Sequence, residues 1–133
     1  MKKSKLKKQS KRPLSVLKRE AIQVFNAFIR RRDLKKSGGR CYICRNPGAI
    51  HAAHFIHNKN AVRFNEMNVN LCCLLCNVFK SGNLGEYALR LIEDYGLKKM
   101  QELRQQAVKP MRFSREYLEE KIKKYKDSYI IIR

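Results

Sequence analysis

An α+β fold, with a short β-hairpin set among amphipathic helices, is what this sequence predicts on three observations. Two Cys-x-x-Cys pairs, Cys41/Cys44 and Cys73/Cys76, bracket a segment that holds all three histidines of the chain. Inside that segment AIHAAHF (49–55) reads as a strand of small and apolar residues, and Asn68 to Leu71 as its return. On both flanks apolar residues recur at the three-four spacing of helices.

A chain of 133 residues is long enough for one domain with a modest core and terminal extensions. Its formal charge of +20 is unevenly spread. Residues 1–40 hold 15 Lys and Arg against 2 acids (+13), residues 41–96 hold 5 against 4 (+1), and residues 97–133 hold 11 against 5 (+6). A nearly neutral centre between cationic flanks suits a polyanion gripped by the flanks while the centre acts on it. The competing reading, charge kept only for solubility, explains the total but not the distribution. An odd count of 5 cysteines, four of them in pairs, points to bound metal in a reducing compartment rather than to disulfides. The N-terminus lacks the apolar segment of a secretory signal, and no apolar run approaches the roughly 18 residues that span a bilayer. The expectation is a soluble protein of the cytoplasm.

Along the chain, residues 1–12 carry seven Lys or Arg and are expected to be a flexible basic arm (1–13 as a unit). Residues 14–133 are expected to form one domain: an N-terminal helix (14–40), the cysteine knuckles with the hairpin (41–82) and C-terminal helices (83–133). Pro13 and Ser15 mark the first helix start, with Ser15 as N-cap. Leu17, Ala21, Val24, Phe25, Phe28 and Ile29 form its stripe, and Gly38-Gly39 ends it near Lys36. Its last turns are cationic, which offers Arg30, Arg31 and Lys35 to DNA, although cations also favour a helix C-terminus unaided. The second knuckle opens a short helix with Asn77 and Lys80, closing near Gly82. Asn83 caps the next helix, with Glu86 completing a capping box. Leu84, Tyr87, Ala88, Leu91, Ile92 and Tyr95 are its buried stripe. A helix over 98–108 stops before Pro110. Ser114 starts the last, with Leu118, Ile122 and Tyr125 in step. YIII (129–132) is an apolar end able to dock on a partner subunit or on the core.

Cys41, Cys44, Cys73 and Cys76 are the candidate zinc ligands, since thiolates paired at i, i+3 on tight turns suit a tetrahedral ion. A four-sulfur site has no open position, so this metal is structural. Cys72, outside the pair spacing, reads as core. His54 is the candidate base, because phosphodiester hydrolysis needs a group that takes a proton from water near neutral pH. A lone strand histidine is more often structural. Asn77 on the short helix is the candidate partner of a divalent ion that would offset phosphate charge. His57 reads as loop surface. Lys80 and Arg63 are candidate phosphate contacts, with a solvated lysine and a hairpin brace as their alternatives.

The spacing Asn68-x4-Cys73-x2-Cys76-Asn77-x2-Lys80, downstream of a Cys-x-x-Cys and a histidine, resembles the HNH, or ββα-metal, nuclease motif. More narrowly, NAFIRRRD (26–33), AHF (53–55), RFNEMN (63–68), CLLCN (73–77), KSGN (80–83) and Tyr87 resemble the lambda-phage NinG (Rap) recombination endonucleases. The resemblance covers roughly residues 26 to 126. It implies an α+β fold with a zinc-stapled ββα-metal (HNH-like) core and flanking α-helices. It makes His54 the general base, Asn77 a ligand of catalytic Mg2+ or Mn2+, and Asn68 the residue that braces the hairpin and aims His54. The implied activity is cleavage of branched DNA such as four-way (Holliday) junctions in phage recombination, which favours a homodimer with two active sites. Many HNH enzymes carry Asp or His just before the base, whereas this chain has Ala53. His51, three residues ahead of His54, stands where the lambda protein has Asp and is a candidate ligand only if the strand bulges, since residues three apart in a strand face opposite ways. The rival readings are a non-catalytic zinc module that binds nucleic acid, and an HNH nuclease of another role, homing or packaging.

Overall fold

A computed structural model describes residues 12–132, with side chains as far as Ser128. The basic segment 1–11 and the side chains of 129–132, on which the arm and docking expectations fall, lie outside the described residues.

Helix α1 (Leu14–Ser37) begins two residues earlier than a Ser15 cap would allow. Pro13 takes the cap position with φ −55° and ψ 146°, and its carbonyl accepts from Val16 and Leu17. A proline there sacrifices no helical hydrogen bond, and its ring offers no acceptor for a side-chain cap. The helix ends as expected, at Gly38 in the left-handed conformation (φ 68°), whose N–H donates to the Leu34 carbonyl. Strands β1 (His51–His54) and β2 (Val69–Cys72) form an antiparallel pair in continuous register, from His51 opposite Cys72 to His54 opposite Val69. A 3₁₀ turn (Asn60–Val62) lies in the long connection between them. A π-helical turn (Leu75–Phe79) follows β2, then α2 (Leu84–Tyr95), α3 (Leu97–Ala107) and α4 (Arg115–Ile132). Ser114 caps α4 as expected, its hydroxyl accepting from the Tyr117 N–H at 3.1 Å. The protein is thus α+β and mostly helical, around a sheet of two strands among the described residues.

The hairpin lies between two cores. On one side Leu17, Phe25, Phe28 and Ile29 of α1 meet Leu118, Ile122 and Tyr125 of α4, with Phe64 and Val69 completing the cluster. Phe25 sets its ring edge-on to Tyr125 at 4.8 Å and to Phe64 at 5.5 Å. On the other side the cysteines, Ile43, Ala53 and Leu71 pack on Tyr87 and Leu91 of α2 and Met100 of α3. The expected α2 stripe is buried only at its centre: Leu84 and Tyr95 stay 43% and 41% exposed, because each stands at an end of the helix beyond the core it covers.

A two-stranded sheet exposes unpaired backbone groups at both edges. Here the outer edge of β2 is closed by side chains of α1. The Asp33 carboxylate accepts from the Leu71 N–H at 2.8 Å, and Arg32 donates to the Val69 and Glu66 carbonyls, each at 2.9 Å. Arg32 and Asp33 also pair with each other at 2.7 and 3.1 Å. None of the described helices is long and apolar enough to cross a membrane.

Candidate metal centre and hairpin site

Cys41 and Cys44 sit on the turn before β1, and Cys73 and Cys76 on the turn after β2, so pairing the strands brings the two knuckles together. Their four Sγ atoms lie within 4.8 Å of one another, and Cys44 and Cys73 are 3.7 Å apart, sulfur to sulfur. Tetrahedral zinc at its usual bond length separates its sulfurs by about 3.8 Å. The four cysteines can therefore hold a zinc ion with little rearrangement. Three further N–H groups face the sulfurs: Ile43 N–H on Cys41, Cys76 N–H on Cys73, and the Asn83 amide on Cys76 at 3.6 Å. Cys72, in the core as expected, lies against Cys41; its thiol is pushed far up in pKa by that contact and by burial, while Cys41 is drawn down towards thiolate.

Asn83 stands at the N-cap of α2 as expected, its carbonyl accepting from the Tyr87 N–H, but the contact on Cys76 takes the side chain that a capping box would use. Asn83 adopts φ 47° and ψ 49°, makes no side-chain cap bond, and turns its amide to the sulfur instead. Two variants separate the two roles. Asn83→Gly keeps the left-handed backbone and loses the donor, while Asn83→Ala loses both. Zinc affinity, read by competition with a chromogenic chelator, is expected to fall about tenfold in each, with the melting temperature falling further in Asn83→Ala than in Asn83→Gly.

His54 ends β1. Its Nε2 lies 3.1 Å from the Arg63 carbonyl, which can only accept. Nε2 therefore carries the proton and Nδ1 keeps its lone pair. Burial holds the imidazole below its ordinary pKa near 6.5; the carbonyl bond opposes this, and the neighbouring Arg63 and His57 charges add to it. The ring is neutral at pH 7. Asn68 is fully buried, and its side chain binds both ends of the loop that runs between His54 and Arg63. Its Oδ1 accepts from Ile56 N–H at 2.8 Å, and its Nδ2 donates to the carbonyls of Ile56 and Val62. Spending its side chain this way, Asn68 stands just outside β2.

Asn77 is half-buried beside the ligand Cys76 and makes no side-chain hydrogen bond among the described residues. No described hydrogen bond links it to His54. The loop after β1 does close on the end of the π turn: a side-chain carbon on Gly82 would stand 3.7 Å from His57 Nε2. Lys80 is exposed and ends that turn, its N–H bonded to the Leu75 carbonyl five residues back. The π turn is wider than the α spacing on which a face shared with Asn77 was expected. The continuous register of β1 leaves no bulge, so His51 and His54 point to opposite faces, and the condition for His51 to join His54 at one ion is not met. Arg63 is half-buried and its Nε has no hydrogen-bond partner among the described residues. Arg30 and Lys35 are exposed on α1, and Arg31 is half-buried.

Two pairs of residues that hold the hairpin escaped the sequence reading. One is Arg32 with Asp33. The other is Tyr87, fully buried, whose hydroxyl donates to the Ala53 carbonyl at 2.8 Å and accepts from Asn70 Nδ2 at 3.0 Å. The Tyr87 hydroxyl thus fixes the residue directly before His54.

Residues 1–131 match the family described as Bacteriophage Lambda NinG protein. The chain belongs to the NinG family. It is 35% identical over 108 residues to the protein ninG of Salmonella phage P22 and, equally, to that of Escherichia phage lambda. Each match covers 76% of this chain and 50% of the relative. With the protein ninG of Enterobacteria phage H19B it shares 34% over 106 residues, 74% of this chain and 50% of that protein. The chain spans about half the length of these NinG relatives. No solved structure matches it.

Proposed function

We propose that this NinG-family chain is a metal-dependent endonuclease of the HNH type that cuts branched DNA, with four-way junctions as the preferred substrate. The observation that carries the reading is the state of His54: neutral, tautomer fixed by the Arg63 carbonyl, with Nδ1 left to accept a proton. That is what a general base for water attack on a phosphodiester requires. Tyr87 holds the strand that carries it, Arg32 the strand opposite, and Asn68 the loop that follows. A divalent ion at Asn77, sharing phosphate oxygens and its own waters, would offset charge at the leaving oxygen; a lone carboxamide suits magnesium or manganese, which keep most of their water. The preference for junctions comes from the resemblance, as does the homodimer, which sedimentation of the protein with and without junction DNA would test.

The experiment is cleavage of a labelled four-way junction by purified protein with magnesium. His54→Ala is expected to lose a hundredfold or more in rate while binding is kept. Binding without cleavage by the wild type would make the chain a non-catalytic zinc module. Equal cutting of linear duplex would point to an HNH enzyme of another role. The pH profile gives an independent reading. Because burial lowers the His54 pKa in the fold, the base form is favoured through neutral pH, and the rate is expected to fall at a more acidic pH than an ordinary imidazole base would give.

A further inference from the structure

The π turn exposes what a short helix next to a core normally hides. Leu74 is 46% exposed, Leu75 48%, Val78 53% and Phe79 73%. Between and beside them, Cys73 and Cys76 face inward to the cluster and Asn77 is half-buried. The cysteines therefore pin one face of the turn, and the other presents four apolar side chains to solvent. Neither the zinc site nor the His54 site uses them.

Three features of the knob narrow what it meets. It is preorganised: two of the five residues from 73 to 77 are candidate metal ligands, so ordering it on binding costs little. It has positive charge beside it, with Lys80 immediately after Phe79 and cationic flanks on either side of the centre in a chain of net +20, which draws a polyanion. It is also small. Four half-exposed side chains offer roughly 400 Å2, against about 800 Å2 per partner in a specific protein interface. An apolar wedge followed directly by the candidate phosphate contact Lys80 matches the way proteins engage opened nucleic acid: cations hold the backbone while apolar side chains stack on or part the bases.

We infer that Phe79, with Val78 beside it, is a base-stacking wedge that engages an unstacked base next to the phosphate held at the hairpin site. Phe79 supplies the ring face and Val78 the adjoining apolar contact, while Lys80 neutralises the phosphate of the same nucleotide. This deepens the nuclease reading and rests on it for the choice of DNA, but it makes a separate demand. The wedge selects DNA whose stack is already open, since an intact duplex offers no exposed base face.

The test uses the full chain in calcium, to measure binding without turnover, on a four-way junction carrying 2-aminopurine at the branch point and on a linear duplex of the same sequence. Wild type is expected to bind the junction and raise the probe's emission. Phe79→Ala, with zinc content and circular dichroism unchanged, is expected to lose about tenfold in junction affinity, to abolish the emission change and to leave duplex affinity unaltered. Equal affinity and emission in the variant would overturn the wedge, and so would equal losses on junction and duplex. A wild-type dimer in sedimentation that Phe79→Ala converts to monomer would reassign the knob to self-association. The nuclease reading fails separately, by absence of cleavage in magnesium, so an intact wedge without cutting and cutting without a wedge are distinct results.

Discussion

Removing zinc with a strong chelator at neutral pH is expected to melt the hairpin and both knuckles together, without unfolding the whole chain. The candidate ligands Cys41, Cys73 and Cys76 are also members of the core formed by Ile43, Leu71, Tyr87 and Leu91. When the ion leaves, four sulfurs within 4.8 Å must share protons or repel, and the core around them loses its anchor. Structural zinc contributes about 10–16 kcal/mol in small domains, as much as or more than the whole 5–15 kcal/mol stability of a typical protein. The other core, Phe25, Phe28, Leu118, Ile122 and Tyr125, contains no ligand. Helical signal should therefore fall only in part, while near-ultraviolet signal from Tyr42 and Tyr87 collapses. Cys41→Ser should behave like the chelated protein. Unchanged near-ultraviolet signal after metal analysis shows complete zinc removal would mean that packing alone holds the knuckles.

The parts of this fold that were legible in the sequence are those with local causes. Cysteines at i, i+3 announce a cluster able to hold a metal because coordination geometry acts over a few residues, and Gly38 ends α1 because only a left-handed residue closes that turn. Element existence followed from periodicity, and boundaries moved by one or two residues where a side chain took over a backbone task. Asn68 left the strand to bind Ile56 and Val62, and Pro13 displaced Ser15. Asn83 shows why local rules mislead: a cap signature and a sulfur donor look alike until the chain has folded and put Cys76 within reach. The same holds for RRRD, read as a cationic helix end. Nothing local marks Arg32 as different from Arg30 and Arg31, since its partners Glu66, Val69 and Asn70 are at least 34 residues away. The NinG resemblance included RRRD and Tyr87 without a reason for either; closing the β2 edge and fixing the Ala53 carbonyl supply one.

Arg32→Ala is accordingly expected to cost about 3 kcal/mol or more, an unusual amount for an arginine on a basic helix. Asp33 is 7% exposed, and the loss of Arg32 leaves its carboxylate with only the Leu71 N–H among the described partners outside its own helix. The carbonyls of Glu66 and Val69 lose a charged donor at the same time. Arg32→Lys should rescue little, because one ammonium cannot reach both Asp33 oxygens, two carbonyls and Asn70 Oδ1 as the planar fork does. Arg30, exposed on the same helix, is the control: Arg30→Ala should shift stability by less than about 0.5 kcal/mol while weakening DNA binding and flattening its salt dependence. Urea titration of the three variants reads the first set of effects and filter binding the second. If Arg32→Ala proved as mild as Arg30→Ala, the β2 edge would be held by the hairpin and zinc alone. If it is severe, the strand opposite His54 depends on a helix far away in sequence, and the site cannot be reduced to the residues between the two cysteine pairs.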